Sequence, residues 1–237
     1  MVDSAAAVAA LAAAVPREDG KMQTLADSFL TKTEQEKITA AVQEVESTTS
    51  GEVVVMVVPR SHDYPAAAIT GSVFFALPSA LLLNTFIGPA IWTGSQNVWL
   101  FLAPFALLYL LFFPFASRSD RIKRFFLNPK HVEKEVKEGA VTAFFSEQLY
   151  KTEKENGILL YVSVMEQKVW ILGDCGINAL IEKNTWDTIV SDLTLGIRNN
   201  NRCEAICEAV RETGKILRVH FPVGKNDENE LDDIIIR

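Results

Sequence analysis

Asp174 and Asp63 each follow a short apolar run, where a β-sheet would present a side chain to a ligand. Asp174 lies in Gly173-Asp174-Cys175-Gly176, directly after the run KVWIL, and Asp63 lies in RSHDY, shortly after the run EVVVMVV. Ligands of α/β proteins gather at strand ends. A carboxylate there can bind a hard cation, act as a base or attack phosphorus. If the two loops met, the pair would form a calcium or magnesium site suited to phosphate-ester chemistry.

Each of these aspartates also has a structural interpretation. Turns favour aspartate because its side chain bonds to nearby backbone, so Asp174 can simply cap a turn. Asp63 lies beside a long apolar segment, where a solvated boundary residue is expected. Gly173 and Gly176 would let the backbone approach a ligand closely. Asp187, near a predicted helix start, suits the helix dipole without any further role.

Other patterns that could carry chemistry are weaker. Cys203 and Cys207 stand four apart on a predicted helix without nearby metal-binding partners, so we interpret them as small hydrophobic residues. His62, His131 and His220 do not have zinc-protease spacing, and no P-loop, GxGxxG motif or serine elbow is present. The formal net charge of -7 argues against a nucleic-acid partner.

A long uncharged segment divides the chain. Residues 64–117 contain no charged side chain, and one bilayer crossing needs about 20 apolar residues. The segment predicts a transmembrane helical hairpin, with crossings near residues 66–91 and 98–115 and a polar connector at 92–97. A pair of buried helices in a soluble protein is the alternative, which the length of the uncharged segment disfavours.

Basic residues flank this hairpin and avoid its connector. Arg60 precedes the first crossing, and a basic cluster, Arg118 to Arg124, follows the second. The positive-inside rule places both flanks, and therefore both termini, in the cytoplasm. We expect an integral membrane protein of the bacterial inner membrane, with an organelle membrane as the open alternative. The crossings contain no ionisable residue, which argues against a transporter.

The chain on either side of the hairpin has an α/β pattern. Residues 29–63 predict a helix after a capping box at Thr31 or Thr33, followed by a buried strand at 52–58. Residues 118–221 predict a helix from about 130 to 152, a strand pair, and two final helices. The strand pair spans 158–164 and 168–172 as an antiparallel hairpin, and the helices span 185–198 and 202–220. A two-crossing insertion returns the chain to its original side, so one sheet covered by helices on both faces can include all three strands.

Two terminal segments lie outside this pattern. Residues 1–28 form an Ala-rich leader whose apolar part, AAAVAALAAAV, is too short to span a bilayer and has no basic residue before it. We expect a loose helix or a disordered leader in preference to a cleaved signal. Residues 222–237 are predicted to form an acidic tail.

Several segments in order resemble the TPM domain family. They are FLTKTEQEKITAAVQEVESTTSGEVVVMV, YKTEKENGILLYVSVMEQKVWILGDCGIN and TWDTIVSDL, and the ending NELDD resembles the tail of a subgroup that carries a membrane hairpin. The resemblance implies a three-layer α/β/α domain interrupted by the hairpin. It also implies phosphatase activity, metal binding in some members, and roles in maintaining membrane complexes.

The sequence leaves two functions open. The first is a non-enzymatic module that binds or maintains another membrane protein, which the lack of a strong catalytic constellation favours. The second is a metal-dependent acid phosphatase with Asp174 and Asp63 as catalytic groups and metal ligands, which the resemblance and the strand-end position of Asp174 favour. We prefer the first hypothesis.

Overall fold

The computed structural model describes residues 26, 28–87, 98–152, 154–182, 184–223 and 231–236. The predictions for most of the leader, for the connector at 92–97 and for residues 224–230 of the tail lie outside the described residues. The helices are α1 (Lys32–Glu46), α2 (Pro65–Ile87), α3 (Trp99–Arg118), α4 (Asp120–Phe125), α5 (Pro129–Ser146), α6 (Cys175–Leu180), α7 (Thr185–Arg198) and α8 (Arg202–His220). The strands are β1 (Glu52–Val58), β2 (Gly157–Ser163), β3 (Lys168–Gly173) and β4 (Ile234–Ile236), and a 3₁₀ turn spans Leu149–Lys151.

The described strands form a mixed sheet in the order β3-β2-β1-β4. Strand β1 pairs in parallel with β2, with Glu52 opposite Gly157, and in parallel with β4, with Met56 opposite Ile235. Strand β3 returns antiparallel along β2, as the short link between them predicts. The strand before the apolar segment therefore pairs with strands after it.

Alternating residues of β1 face two separate cores. Val53, Val55 and Val57 pack under α1, α7 and α8, whereas Val54 and Met56 pack under α5 and the start of α2. Every residue of β1 and β2 is buried, which explains the apolar runs at residues 53–58 and 158–162. The domain is a three-layer α/β/α sandwich, as the sequence predicts.

Local sequence explains where α1 begins. Its capping box uses Thr31: the Thr31 hydroxyl accepts from the Glu34 backbone N–H, and the Glu34 carboxylate accepts from the Thr31 backbone N–H at 2.8 Å. Ile38, Ala41, Val42 and Val45 then recur at helical spacing and are buried against the sheet. Of the two caps that the sequence allows, the earlier one is used.

Helices α2 and α3 pack against each other and are long and apolar enough to cross a membrane. The buried residues of α2 are all small, which lets neighbouring helices approach closely; they are Ala67, Ala68, Gly71, Ser72, Ala76 and Ala80. Leu107, Leu110 and Leu111 of α3 remain 65–70% exposed. The pair therefore exposes a larger apolar surface than soluble proteins usually expose to water.

The structure adds three short elements to the predicted pattern. Helices α4 and α6 each have six residues, too few to show a helical repeat in sequence. Strand β4 lies in the segment predicted as an acidic tail, because Ile234–Ile236 can complete the edge of the sheet beside β1. The helix predicted from 130 to 152 ends at Ser146 and is followed by the 3₁₀ turn.

Candidate functional site

Asp174 caps the short helix α6. Its Oδ1 accepts a hydrogen bond from the Cys175 backbone N–H at 2.7 Å, and its own N–H donates to the Gly157 carbonyl oxygen at 2.9 Å. The residue is 8% exposed. Its Oδ2 is buried and has no hydrogen-bond partner among the described residues. The capping interpretation is therefore correct for one carboxylate oxygen, and the other is left unpaired.

The glycines around Asp174 are required by packing. A Cβ on Gly173 would lie 2.5 Å from Cγ2 of Ile177, and a Cβ on Gly176 would lie 2.6 Å from the Glu155 carbonyl oxygen. Both distances are shorter than any ordinary contact, so each position excludes a side chain. Close approach of a ligand is not needed to explain either glycine.

Asp63 lies at the opposite end of the sheet. It follows the carboxyl end of β1, its side chain is 83% exposed, and it pairs with Arg60 at 3.3 Å. Asp174 follows β3, which runs antiparallel to β2, so it lies near the beginning of β1. The seven residues of β1 separate the two ends by about 20 Å at about 3.3 Å per residue.

The structure thus does not bring the two predicted site residues together. The reason is the antiparallel return of β3, which reverses the end at which its following loop emerges. These carboxylates do not fit a shared calcium or magnesium site. In the part of the chain that the structure describes, no three His, Cys, Asp or Glu side chains are grouped closely enough to hold a metal.

A buried glutamate that sequence reasoning missed organises the other end of the sheet. Glu166, in the turn between β2 and β3, is 7% exposed and accepts three hydrogen bonds. The donors are the Ser61 backbone N–H at 2.8 Å, the Tyr64 hydroxyl at 3.0 Å and the Ser163 hydroxyl at 2.5 Å. Burial and the nearby Glu166 carboxylate raise the pKa of the Tyr64 phenol. Glu166 therefore holds the loop that leads into α2.

Two histidines that are distant in sequence meet beside this network. His62 Nδ1 and His131 Nε2 lie 3.4 and 3.6 Å from the two carboxylate oxygens of Glu135. The two rings also lie edge-on to Tyr64. The His62 contact joins the loop after β1 to α5, whereas His131 and Glu135 both belong to α5.

The sequence predicts that the cysteines of α8 are small hydrophobic residues; Cys207 is placed accordingly, whereas Cys203 is partly exposed. Cys207 is buried, and its thiol lies 3.8 Å from the Lys37 carbonyl oxygen. Burial, mainly, and the neighbouring Cys203 raise the pKa of the Cys207 thiol to about 11. This thiol therefore stays protonated and packs as a small apolar side chain.

A groove of about 560 Å³ runs along β3. Residues 168–173 of β3 form its floor, and α5 and α7 form its two walls. The α5 wall includes Val136 and Lys137, and the α7 wall includes Trp186, Val190 and Thr194. Asp187, interpreted from sequence as a dipole partner, lies in the first turn of α7 and also lines this groove. The groove thus follows one whole edge of the sheet.

The floor of this groove is an unpaired strand edge. Strand β3 is the first strand in the sheet order and pairs only with β2 among the described strands. Alternate backbone N–H and C=O groups of such an edge point away from the sheet and can pair with another strand. Lys137 lies over the Trp170 ring, with its Nζ 5.8 Å from the ring centroid, and covers one side of the strand.

Comparisons with known proteins agree with this fold. Residues 126–216 match the family model of the TPM domain. The structure is similar to the NMR structure of BA42 protein from the psychrophilic bacterium Bizionia argentinensis sp. nov., with a TM-score of 0.54 and 20% sequence identity. That similarity covers 88% of this chain and 96% of the BA42 chain, and at this identity it concerns the fold alone. A comparison with curated proteins found no match.

Proposed function

We propose that this chain, whose residues 126–216 match the family model of the TPM domain, is a membrane-anchored binding module. In this proposal the domain is non-enzymatic, and the groove along β3 binds an extended segment of another membrane protein. The single observation that carries the proposal is the unpaired edge of β3 on the floor of an apolar groove. The hairpin of α2 and α3 would hold the domain at the bilayer surface.

An extended segment suits this groove better than a helix does. An added strand can pair its backbone with the row of outward N–H and C=O groups of β3, whereas the interior of a helix satisfies its own backbone groups. A strand added here would continue the sheet between the α5 and α7 layers.

The two walls predict which side chains the segment carries. Successive residues of an added strand would point alternately to the α5 wall and to the α7 wall. Trp186 and Val190 of α7 offer apolar contact, whereas the two lysines of the lining are balanced by Glu133 and Asp187. We expect a segment whose alternate residues, those facing α7, are β-branched or aromatic.

Anchoring is supported by length, composition and exposure. The two apolar helices follow each other in sequence, expose many large apolar side chains and are followed by basic residues of α4. A bilayer would shield these apolar side chains from contact with water. The charge distribution supports a cytoplasmic domain with both ends of the chain on that side.

Metal-dependent phosphatase activity has less support. The observation in its favour is the buried, unpaired Oδ2 of Asp174. Against it, Asp174 already caps α6, and Asp63 lies at the far end of the sheet. The space beside the two neighbouring glycines is also occupied by protein atoms. The groove has a floor and two walls that a ligand can contact. The two carboxylates are too far apart to act on one substrate.

Selection of peptides on the full chain in lipid nanodiscs tests the proposal. Ten-residue peptides from a random library are selected, and binding of the best ones is measured by fluorescence anisotropy. Val190→Arg places a charged side chain in the groove, whereas Leu195→Arg makes the same change on an exposed position of α7 outside it. We expect Val190→Arg to weaken binding about tenfold or more, as loss of a central contact does.

Hydrogen exchange distinguishes strand addition from other modes of binding. A bound strand should slow exchange of the outward amides of residues 168–173, because they gain backbone partners. Leu195→Arg should bind with unchanged affinity. Peptides that bind Val190→Arg as well as the original chain, or that leave the β3 amides unprotected, would rule out the groove as the binding site.

A further inference from the structure

A second cavity, of about 580 Å³, lies where the hairpin joins the domain. Among the described residues that line it, three are arginines: Arg121 and Arg124 of α4, and Arg202 at the start of α8. Helix α4 follows α3 after the single residue Ser119, and α8 belongs to the far side of the sandwich. The fold thus gathers guanidinium groups from distant parts of the sequence into one cavity.

Two of these arginines are fixed in place by backbone carbonyls. Arg124 Nε donates to the Met165 carbonyl oxygen at 3.0 Å, and Arg202 Nη1 donates to the Phe29 carbonyl oxygen at 3.1 Å. The Arg202 guanidinium also lies 4.7 Å from the Phe29 ring centroid. A guanidinium has five N–H donors, so these contacts orient each group and leave donors for a ligand.

The cavity is positively charged within an acidic chain. Asp120 is the carboxylate among its described lining residues, and Arg202 also attracts the nearby Glu34 carboxylate, so three guanidinium groups face two carboxylates. Arg121 is exposed and has no ion-pair partner in the described part of the chain. Such a local excess of positive charge, in a chain of net charge -7, favours an anion. Guanidinium groups match phosphate oxygens in pairs.

We propose that this cavity binds the phosphate of an anionic phospholipid headgroup. The inference rests on the membrane anchoring in the proposed function. The cavity lies at the end of α3, whose Leu107, Leu110 and Leu111 are exposed, and α4 packs on Gly71 of α2 through Ile122. A lipid could therefore place its acyl chains along α3 and its phosphate among the arginines.

The positive-inside rule alone does not account for this arrangement. That rule requires basic residues near the ends of the crossings, and Arg118 and Lys130, both exposed and outside the cavity, satisfy it. It does not require Arg202, which lies far away in sequence, to be held beside them. Free phosphate shares the same chemistry, so the experiment includes it as a separate ligand.

Binding of short-chain lipids to the full chain in neutral detergent tests the proposal. Dihexanoyl phosphatidylglycerol, dihexanoyl phosphatidylcholine and inorganic phosphate are titrated by calorimetry. We expect preference for phosphatidylglycerol, and a loss of about tenfold or more in Arg121→Gln/Arg124→Gln, since each basic side chain near a lipid phosphate contributes roughly fivefold. The matched control, Arg118→Gln/Lys130→Gln, removes the same charge and should change affinity by less than about twofold.

Asp120→Asn gives a test that does not depend on losing a structural contact. It removes the repelling carboxylate and should tighten phosphatidylglycerol binding. Equal weakening in both arginine and control pairs, no tightening in Asp120→Asn, or full competition by inorganic phosphate at the same concentration would overturn the lipid site. Arg121→Gln/Arg124→Gln should keep its affinity for groove-binding peptides and float with membranes, so failure here is separable from failure of the proposed function.

Discussion

Glu46, at the end of α1, is a carboxyl group held away from water. Burial is the main cause that raises its pKa from 4.5 to about 8, and the carboxylates of Glu52 and Asp233 add to this effect. The Val53 backbone N–H, 3.0 Å from Glu46 Oε1, acts in the opposite direction. The folded protein therefore keeps this proton up to a pH of about 8, whereas the unfolded chain loses it near 4.5.

This difference predicts the direction in which stability depends on pH. Between the two pKa values the folded state binds more protons, so the free energy of unfolding falls as the pH rises and levels off above about 8. One proton limits the slope to about 1.4 kcal/mol per pH unit. Glu46→Gln keeps an oxygen for the Val53 N–H and cannot ionise, so it should flatten this slope.

Chemical denaturation of both proteins across this range of pH measures the slope. Glu44→Gln, an exposed change on the same helix, is the control and should follow the original chain. If Glu46→Gln keeps the original slope, Glu46 is not the group responsible.

For individual residues, the sequence indicates the chemistry of a side chain better than its position in the folded structure. Asp174 was recognisable as either a cap or a ligand, and the backbone N–H of Cys175 shows that one of its carboxylate oxygens is a cap. The separation of Asp63 from Asp174 depends on strand direction, which is a property of the sheet. Glu166 could not be recognised, because its three donors come from Ser61, Tyr64 and Ser163 and meet it only in the folded state.

Among the elements, α1 and α8 make a close contact at Gly214. A Cβ at this position would lie 2.5 and 2.7 Å from the two methyl groups of Val45, which is buried. Val45 belongs to the apolar face that begins at the capping box of α1. The spacing between the two helices thus depends on the absence of one side chain.

Gly214→Ala should therefore destabilise the domain. Overpacking costs about 1–3 kcal/mol, which exceeds the gain of about 1 kcal/mol from replacing glycine by alanine inside a helix. In a Val45→Ala background the clash is removed, and the same substitution should become neutral or stabilising. Thermal unfolding of the four proteins in this cycle measures the change of sign, and destabilisation of equal size in both backgrounds would contradict the contact.

The elements themselves were largely predictable. Strand β1 and helices α7 and α8 have the predicted bounds, since each has a strong repeat and clear end signals. Helices α4 and α6 are too short for a repeat, and β4 has only three residues whose strand partner, β1, is distant in sequence. The groove combines β3 with α5 and α7, so it depends on layer packing that periodicity does not give.

For the whole molecule, the two apolar helices interrupt the domain between β1 and α5, yet the sheet is continuous. This requires the chain to leave the domain and return on the same side. The proposed membrane hairpin would meet that requirement, and it would hold the domain, with its groove and arginine cavity, beside one bilayer surface. The proposed function therefore depends above all on the topology of residues 65–118.

Thiol labelling in oriented vesicles tests this topology. Native Cys175 is exposed on the domain. Val98, which is 62% exposed, directly precedes α3, and it therefore lies at the end of α3 that is distant from α4. With a membrane-impermeant maleimide, Cys175 should react only in inside-out vesicles. Val98→Cys in a Cys175→Ser background should react only in right-side-out vesicles. Labelling of both positions from the same side, or release of the chain by an alkaline wash, would contradict the account.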